Sequence, residues 1–325
     1  MSTYLITGGA GFIGSHLTAR LLAEGNTVIC VDNFNNFYSP LIKEYNISDF
    51  LQQTNYLLYR TDITDEASMT DIFLHNHIDT VIHLAAMAGV RPSIENPILY
   101  EKVNNMGFQV LLNCISKYQV KKLVAASSSS VYGNNKKVPF SETDIVDYAI
   151  SPYAATKKAN EVMGHVFHKL YDIDMIFLRF FTVYGPGQRP DLAIHKFTRM
   201  IDHDLPLPFF GDGTTSRDYT YIDDIIDGVV KAIAYVETHQ IYDIFNLGES
   251  TPITLSKMVQ TIENHLGKKA VLNHLPMQSG DVDITYADIT KARTILKYQP
   301  KMSFDQGIAS FIAWYRHVKE LGIYE

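Results

Sequence analysis

The feature that most constrains the fold of this chain is a glycine-rich segment directly after the first apolar run. Residues 7–14 read Thr-Gly-Gly-Ala-Gly-Phe-Ile-Gly, a GxxGxxG spacing between a strand-like and a helix-like segment. Here Gly8 permits a tight turn, Gly11 lets the backbone approach a pyrophosphate, and Gly14 allows close packing of helix on strand. The segment therefore predicts a strand–loop–helix unit that binds a dinucleotide.

The end of the second predicted strand favours NAD over NADP. Asp32 lies there, 18 residues past Gly14. A carboxylate in this place accepts both hydroxyls of an adenosine ribose and repels a 2′-phosphate. The next ten positions contain no arginine or lysine, and Lys43 is the first basic residue.

Other predicted cofactor contacts lie in the glycine loop and after later strands. Phe12 and Ile13 belong to the loop itself. Asp62-Ile63 follows the third strand and is placed to meet the adenine. Ala85-Ala86 follows the fourth strand and is placed to line the pyrophosphate and the nicotinamide ribose.

Short apolar runs alternate with helical periods over about the first 180 residues, the pattern of βαβ units and a parallel sheet. The predicted strands are Tyr4–Thr7, Thr27–Asp32, Tyr56–Tyr59, Thr80–Leu84, Lys122–Ser127 and Asp174–Arg179. The predicted helices are Phe12–Glu24, Glu66–His75, Asn104–Tyr118 and Tyr153–Leu170. After Arg179 the alternation breaks and proline and glycine become frequent. The fold class is predicted to be α/β, a Rossmann-type doubly wound parallel sheet (residues 1–180) with a smaller mixed C-terminal lobe (181–325), from which segments near 221–247 return to the main domain.

Composition excludes several classes of function. The net charge of −7, with scattered basic residues, argues against nucleic-acid binding. No apolar stretch reaches the ~18 residues that span a bilayer, and the first residues enter a strand at once, so neither a membrane anchor nor a signal peptide is expected. Cys30 and Cys114 are interpreted as buried free thiols of a cytoplasmic protein. The twelve dispersed histidines predict no metal site.

Tyr153 and Lys157 suggest the chemistry. Residues four apart share one face of a helix, so a phenol and an ammonium can point into one site. A free tyrosine has a pKa of about 10, and a nearby cation lowers it. With the oxidised nicotinamide as a second positive charge, the pair can take a proton from an alcohol while a hydride leaves the same carbon.

With these motifs in order, the chain resembles the extended short-chain dehydrogenase/reductase family. Within it, the chain is most similar to nucleotide-sugar epimerases that act on UDP-glucuronate. The matching segments are 8–14, 32–34, 88–97, 127–133, 151–161, 178–191 and 217–224.

The resemblance implies roles at the matching positions. Tyr153 is the base and acid, Lys157 holds the nicotinamide ribose and tunes Tyr153, and Ser128 binds the reacting sugar oxygen. The match at 32–34 also implies that Asn33 contacts the cofactor. The other substrate residues implied are Arg217 for the diphosphate, Phe210 beside the uracil and Asp281 for the ribose.

Ser129 and Ser130 separate neighbouring chemistries, because similar 4,6-dehydratases carry an Asp-Glu pair there and UDP-glucuronate decarboxylases usually place Glu at position 130. Gly-Val-Arg at 89–91 and Phe-Phe-Thr ending at Thr182 resemble glucuronate epimerases rather than galactose-type enzymes, and the resemblance also implies Ser93 as a substrate residue. Residues 128–130 and Thr182 could form a hydroxyl cradle for a carboxylate, with Arg91 and Arg189 as candidate cations. Gln188 departs from the Trp-Gly of many glucuronate epimerases.

The expectation is an NAD-dependent 4-epimerase interconverting UDP-glucuronate and UDP-galacturonate through a 4-keto intermediate. The alternatives are a UDP-glucose or UDP-N-acetylglucosamine 4-epimerase, less so a UDP-glucuronate decarboxylase, and, from another class, an NAD-sensing regulatory protein. The resemblance also implies a homodimer formed through the helices at 104–118 and 153–170.

Overall fold

The computed structural model describes residues 1–276 and 284–323. Its strands are β1 (Thr3–Thr7), β2 (Thr27–Val31), β3 (Tyr56–Tyr59), β4 (Thr80–His83), β5 (Lys122–Ser128), β6 (Asp174–Phe180), β7 (Thr182–Tyr184), β8 (Pro206–Phe210), β9 (Ser216–Tyr221), β10 (Tyr242–Leu247), β11 (Pro252–Thr254) and β12 (Val271–Leu275). Its α-helices are α1 (Phe12–Ala23), α2 (Pro40–Ile47), α3 (Glu66–His75), α4 (Val90–Glu95), α5 (Pro97–Tyr100), α6 (Gly107–Lys117), α7 (Pro152–Tyr171), α8 (Ala193–Asp202), α9 (Ile222–Thr238), α10 (Leu255–Leu266), α11 (Thr290–Ile295) and α12 (Phe304–Glu320). A π-helical turn, Glu101–Met106, joins α5 to α6.

The main sheet has seven parallel strands in the order β10-β6-β5-β4-β1-β2-β3. This confirms the predicted α/β class. The six predicted strands agree with β1 to β6 to within one residue at each end. Their apolar runs are continuous because both faces of a parallel sheet are covered, as in β6, where every residue is buried.

Helices on the two faces of the sheet enclose two hydrophobic clusters. Neighbouring strand residues point to opposite faces, so Ile6 belongs to one cluster and Leu5 to the other. The first cluster includes Leu17 of α1 and Val229 of α9, and the second includes Leu111 of α6. The sheet is therefore held rigidly, and its carboxyl edge provides a fixed platform.

After β6 the chain builds two smaller sheets and then returns to the large one. Strands β11, β9 and β7 form a mixed three-stranded sheet, and β12 pairs with β8. Helix α9 packs on α1, and β10 extends the main sheet beside β6. The boundary at residue 180 remains a proposal. In residues 1–276 and 284–323 no helix is both long and apolar enough to cross a membrane.

Candidate functional site

A cavity of about 480 Å³ lies along the carboxyl edge of the main sheet. Strand order reverses between β1 and β4, the switch point at which sheets of this kind bind ligands. The lining contains every residue that the sequence assigned to the cofactor: Gly8, Gly11, Phe12, Ile13, Gly14, Asp32, Asn33, Asp62, Ile63, Ala85, Ala86 and Lys157.

The glycine loop is packed too tightly for side chains. Gly8 has φ +74°, and a Cβ there would lie 2.8 Å from the Ala85 nitrogen. A Cβ on Gly14 would lie 2.2 Å from the carbonyl oxygen of Gly8. Gly11 precedes α1, whose first N–H groups have no partner within the helix. This cradle fits a pyrophosphate, because free N–H groups and the helix dipole both favour an anion.

At the adenosine end, Asp32 is fixed by several donors. The Phe34 backbone nitrogen donates to its Oδ1 over 2.9 Å, and the ammonium of Lys43 lies 2.8 Å from the same oxygen. Both side chains of this ion pair are buried. Beside them, Asn33 donates to Asp62 over 2.7 Å. These carboxylates fit the hydroxyls of a ribose.

Lys43 is a site residue that the sequence does not predict, since in the sequence it is only the first basic residue after Asp32. Its helix, α2, was not among the predicted helices, so its reach back to the end of β2 had no signal in the spacing. A basic residue eleven positions after a strand-end carboxylate, in an apolar context such as Leu41-Ile42, was the one available clue.

At the other end, α7 presents Tyr153 and Lys157. The helix begins after Ser151, whose side chain accepts a hydrogen bond from the Ala154 nitrogen, and Pro152 occupies its first position. The Lys157 ammonium donates to the carbonyl oxygen of Ala126 over 2.9 Å. Burial lowers the pKa of Lys157 to about 8.

The environment of Tyr153 differs from the sequence expectation. Burial raises the pKa of its phenol, while a hydrogen bond with Ser128 and the charge of Arg189 act in the opposite direction. Lys157 donates to β5 instead, so the neighbouring ammonium does not make Tyr153 acidic in the protein alone. A positively charged group in the cavity would move its pKa downward.

Beside Tyr153, strand β5 ends in a turn of hydroxyl groups. Ser128 closes the strand, and a 3₁₀ turn covers Ser129–Tyr132. The Ser128 oxygen accepts from the Ser130 nitrogen over 3.1 Å. All three serines and Thr182 line the cavity with Tyr153. This end therefore offers hydroxyl donors and, within the described lining, no carboxylate.

Arg189 also lines the cavity, and its charge acts on Tyr153. Its guanidinium pairs with Asp191 over 2.9 Å and lies 5.3 Å from the centre of the Phe37 ring. The neighbouring Gln188 is buried and donates to the Val183 carbonyl over 3.3 Å. Gln188 is not part of the lining of the cavity that Arg189 lines.

The remaining predicted substrate residues lie outside the lining of this cavity. Arg91 is exposed on α4, and the Ser93 hydroxyl donates to the Val90 carbonyl. Phe210 is half-buried at the end of β8, and Arg217, on β9, donates to the Ser216 carbonyl over 2.9 Å. Their roles remain predictions, and Asp281 falls outside the described residues.

A dinucleotide cradle that ends at a half-buried tyrosine and a buried lysine defines the class of the short-chain dehydrogenases/reductases. The family model described as GDP-mannose 4,6 dehydratase matches residues 5–311. The chain belongs to this family, which lies within the extended short-chain dehydrogenases/reductases.

Individual relatives are similar over nearly the whole chain. A UDP-glucuronate 4-epimerase of Thermodesulfobacterium geofontis is 41% identical over 99% of this chain and 98% of its own length. The Bacillus cereus UDP-glucuronic acid 4-epimerase, solved with UDP-glucuronic acid and NAD, has a TM-score of 0.91 at 36% identity, covering 97% of this chain and 99% of that one. A UDP-glucose 4-epimerase of Thermotoga maritima has a TM-score of 0.89 at 33% identity, covering 98% and 99%.

Proposed function

We propose that this protein is an NAD-dependent 4-epimerase that interconverts UDP-glucuronate and UDP-galacturonate through a transient 4-keto sugar. The single observation that carries the proposal is the hydroxyl turn beside Tyr153, in which serines stand at 129 and 130. The similarity to the Thermodesulfobacterium and Bacillus enzymes supports the choice of sugar.

In this proposal Tyr153 takes the proton of the C4 hydroxyl and later returns it. NAD, when bound, accepts the C4 hydride and gives it back. Ser128, which hydrogen-bonds Tyr153, holds the reacting oxygen. Lys157 lines the same cavity as Tyr153; in this proposal it holds the nicotinamide ribose, and the positive charge of bound NAD favours the phenolate of Tyr153. Return of the hydride to the opposite face of C4 inverts the centre and consumes no external oxidant.

The fate of the 4-keto sugar depends on its neighbours. Elimination of water needs an acid and a base beside the ring, and Ser129 and Ser130 supply neither at neutral pH. The keto form of glucuronate is a β-keto acid, which loses CO₂ readily. Hydroxyl donors from the serine turn and Thr182 would hold the carboxylate while the ketone is reduced.

A second candidate is a UDP-glucose 4-epimerase, which the Thermotoga maritima structure favours. Purified protein incubated with UDP-glucuronate, and separately with UDP-glucose, without added cofactor distinguishes the two. We expect UDP-galacturonate as the main product. Release of CO₂ with a UDP-pentose, or turnover of UDP-glucose alone, contradicts the proposal.

We further propose that the protein is a homodimer in the cytoplasm. Val162, Val166 and Leu170 recur every four residues on α7 and are exposed. Met163, on the same helix, and Met106, in the π-helical turn, are also exposed and apolar. Such a face supports packing against a second copy, and the two buried free cysteines support a reducing compartment. Light scattering at micromolar concentration tests the dimer.

A further inference from the structure

Glu161 and Arg179 form a buried ion pair that the proposed mechanism does not use. Each side chain is 1% exposed. The contact is bidentate, with Nε to Oε1 at 2.8 Å and Nη2 to Oε2 at 2.9 Å. Burying two charges costs desolvation energy that such a pair barely recovers, so the pair is poorly explained by stability alone. Its position in the fold indicates another role.

Glu161 connects the helix that carries the tyrosine to the strand that carries the serines. It lies four residues after Lys157 and eight after Tyr153, on the same side of α7. Its Oε1 accepts a hydrogen bond from Ser127 over 2.7 Å. Since Ser127 immediately precedes Ser128, one carboxylate fixes α7 against the end of β5.

Arg179 holds the other end of the serine turn. Its Nη1 donates to the Tyr132 hydroxyl over 3.0 Å, and its guanidinium carbon lies 4.9 Å from the centre of the Tyr132 ring. Tyr132 is the last residue of the turn that begins at Ser129. The guanidinium thus contacts both α7, through Glu161, and the residue that closes the turn.

The network continues along one row of the sheet. Ser127, Arg179 and Asn246 are register partners on β5, β6 and β10. The Tyr132 hydroxyl donates to Asn246 over 2.7 Å, and Asn246 donates to the Phe140 carbonyl over 2.9 Å. On β5 this row of residues lies one position before Ser128. Neither Glu161 nor Arg179 lines the cavity.

We propose that Glu161 and Arg179 are positioning residues, which set the distance between the phenol of Tyr153 and the hydroxyls of residues 128–130. Epimerisation requires Tyr153 and Ser128 to meet the same sugar oxygen before and after C4 inverts, while the other hydroxyls hold the carboxylate. A misplacement of about 1 Å costs on the order of 10²-fold in rate. This inference rests on the proposed function, since it names the residues that keep the reactive groups of that site at the required distance.

The main test replaces both charges together, as Glu161→Met with Arg179→Met, because removal of one leaves the other buried charge without its bidentate partner. We expect kcat to fall about 10²-fold with KM for the UDP-sugar and the NAD content of the purified protein unchanged. The matched control is Lys122→Met. It breaks the ion pair of Lys122 with Asp174, at 2.9 Å, which joins β5 to β6 at their opposite ends, and it should leave kcat unchanged.

Hydrogen exchange provides a readout that does not depend on the substrate. The amides of residues 128–133 should exchange faster in the double variant than in Lys122→Met at equal Tm. Unchanged exchange in a folded double variant refutes the positioning role, whatever sugar the enzyme uses. Failure of the wild-type protein to convert UDP-glucuronate overturns the proposed function instead and leaves the exchange comparison valid.

Tyr132→Phe decides the question if the double variant does not fold. It removes one hydroxyl between Arg179 and Asn246 and preserves the ring. We expect faster exchange in the serine turn and a fall of about tenfold in kcat, the equivalent of one hydrogen bond. A folded Tyr132→Phe protein with wild-type exchange and kcat would show that the network does not position the serine turn, and would overturn the proposal.

Discussion

Lys157 donates a hydrogen bond of 2.9 Å to the carbonyl oxygen of Ala126, so α7 and the strand that ends in the serine turn are joined directly beside Tyr153. The bond holds an ammonium in a place from which water is excluded. Such a place favours neutral lysine, which is why its pKa is depressed to about 8.

Lys157→Met should therefore stabilise the fold near neutral pH. With pKa values of about 8 folded and about 10.5 unfolded, the folded state resists protonation, and the penalty is fully present below pH 8. This penalty in the wild type amounts to about 3 kcal/mol. The variant loses the hydrogen bond to Ala126, which offsets about 1 kcal/mol of its gain. Because the unfolded chain binds the extra proton between pH 8 and 10.5, the wild type gains stability as pH rises through this window.

Urea titrations of both proteins between pH 7 and 10 measure this effect. The advantage of the variant should shrink steadily above pH 8. A variant less stable than wild type at pH 7, or a pH-independent difference, contradicts the assigned burial cost.

Tyr153→Phe should remove catalysis without removing the cofactor. The ring still fills its place, but no group can take the C4 proton, so kcat should fall by about 10²- to 10⁴-fold, the usual contribution of a general acid–base. Absorbance of the extract after heat denaturation measures the NAD retained. Near-normal turnover would exclude Tyr153 as the base.

Lys43→Met should weaken retention of the cofactor. The ammonium orients the Asp32 carboxylate at 2.8 Å, and without it a buried charge loses its partner. We expect NAD to dissociate at least tenfold faster, measured by gel filtration followed by an enzymatic NAD assay. Lys122→Met, away from the cleft, is the control and should retain NAD like the wild type.

Ser130→Ala should discriminate between the two candidate sugars. The change removes one hydroxyl donor to the carboxylate of UDP-glucuronate, so the KM for this substrate should rise several-fold, while the KM for UDP-glucose, which has no carboxylate, changes less. Equal losses for the charged and the uncharged sugar would place the carboxylate elsewhere.

The elements that obey local rules could be predicted from the sequence. The strands β1 to β6 are short apolar runs, most of them buried on both faces, and the glycine spacing determines the loop that follows β1. Helix α6 begins later than predicted because a π-helical turn occupies Glu101–Met106, and the periodicity of side chains does not distinguish the two helical forms.

The contacts that the sequence could not reveal are long-range. Lys43 reaches Asp32 from a separate helix, and Glu161 reaches Arg179 across 18 positions and two layers of structure. Nothing in the spacing distinguishes Glu161 from an exposed glutamate four residues after a lysine. The upward shift of the Tyr153 pKa could not be predicted either, because it comes from burial, which only the folded chain shows.

The reversal of strand order between β1 and β4 divides the cleft in two. The segments that follow β1, β2 and β3 line one half of the cleft, while β5 and α7 line the other half. Under the proposed function, cofactor choice and sugar choice are therefore encoded in separate stretches of chain. A chimera that exchanges only residues 27–63 can alter the dinucleotide preference and leave the sugar chemistry as it is.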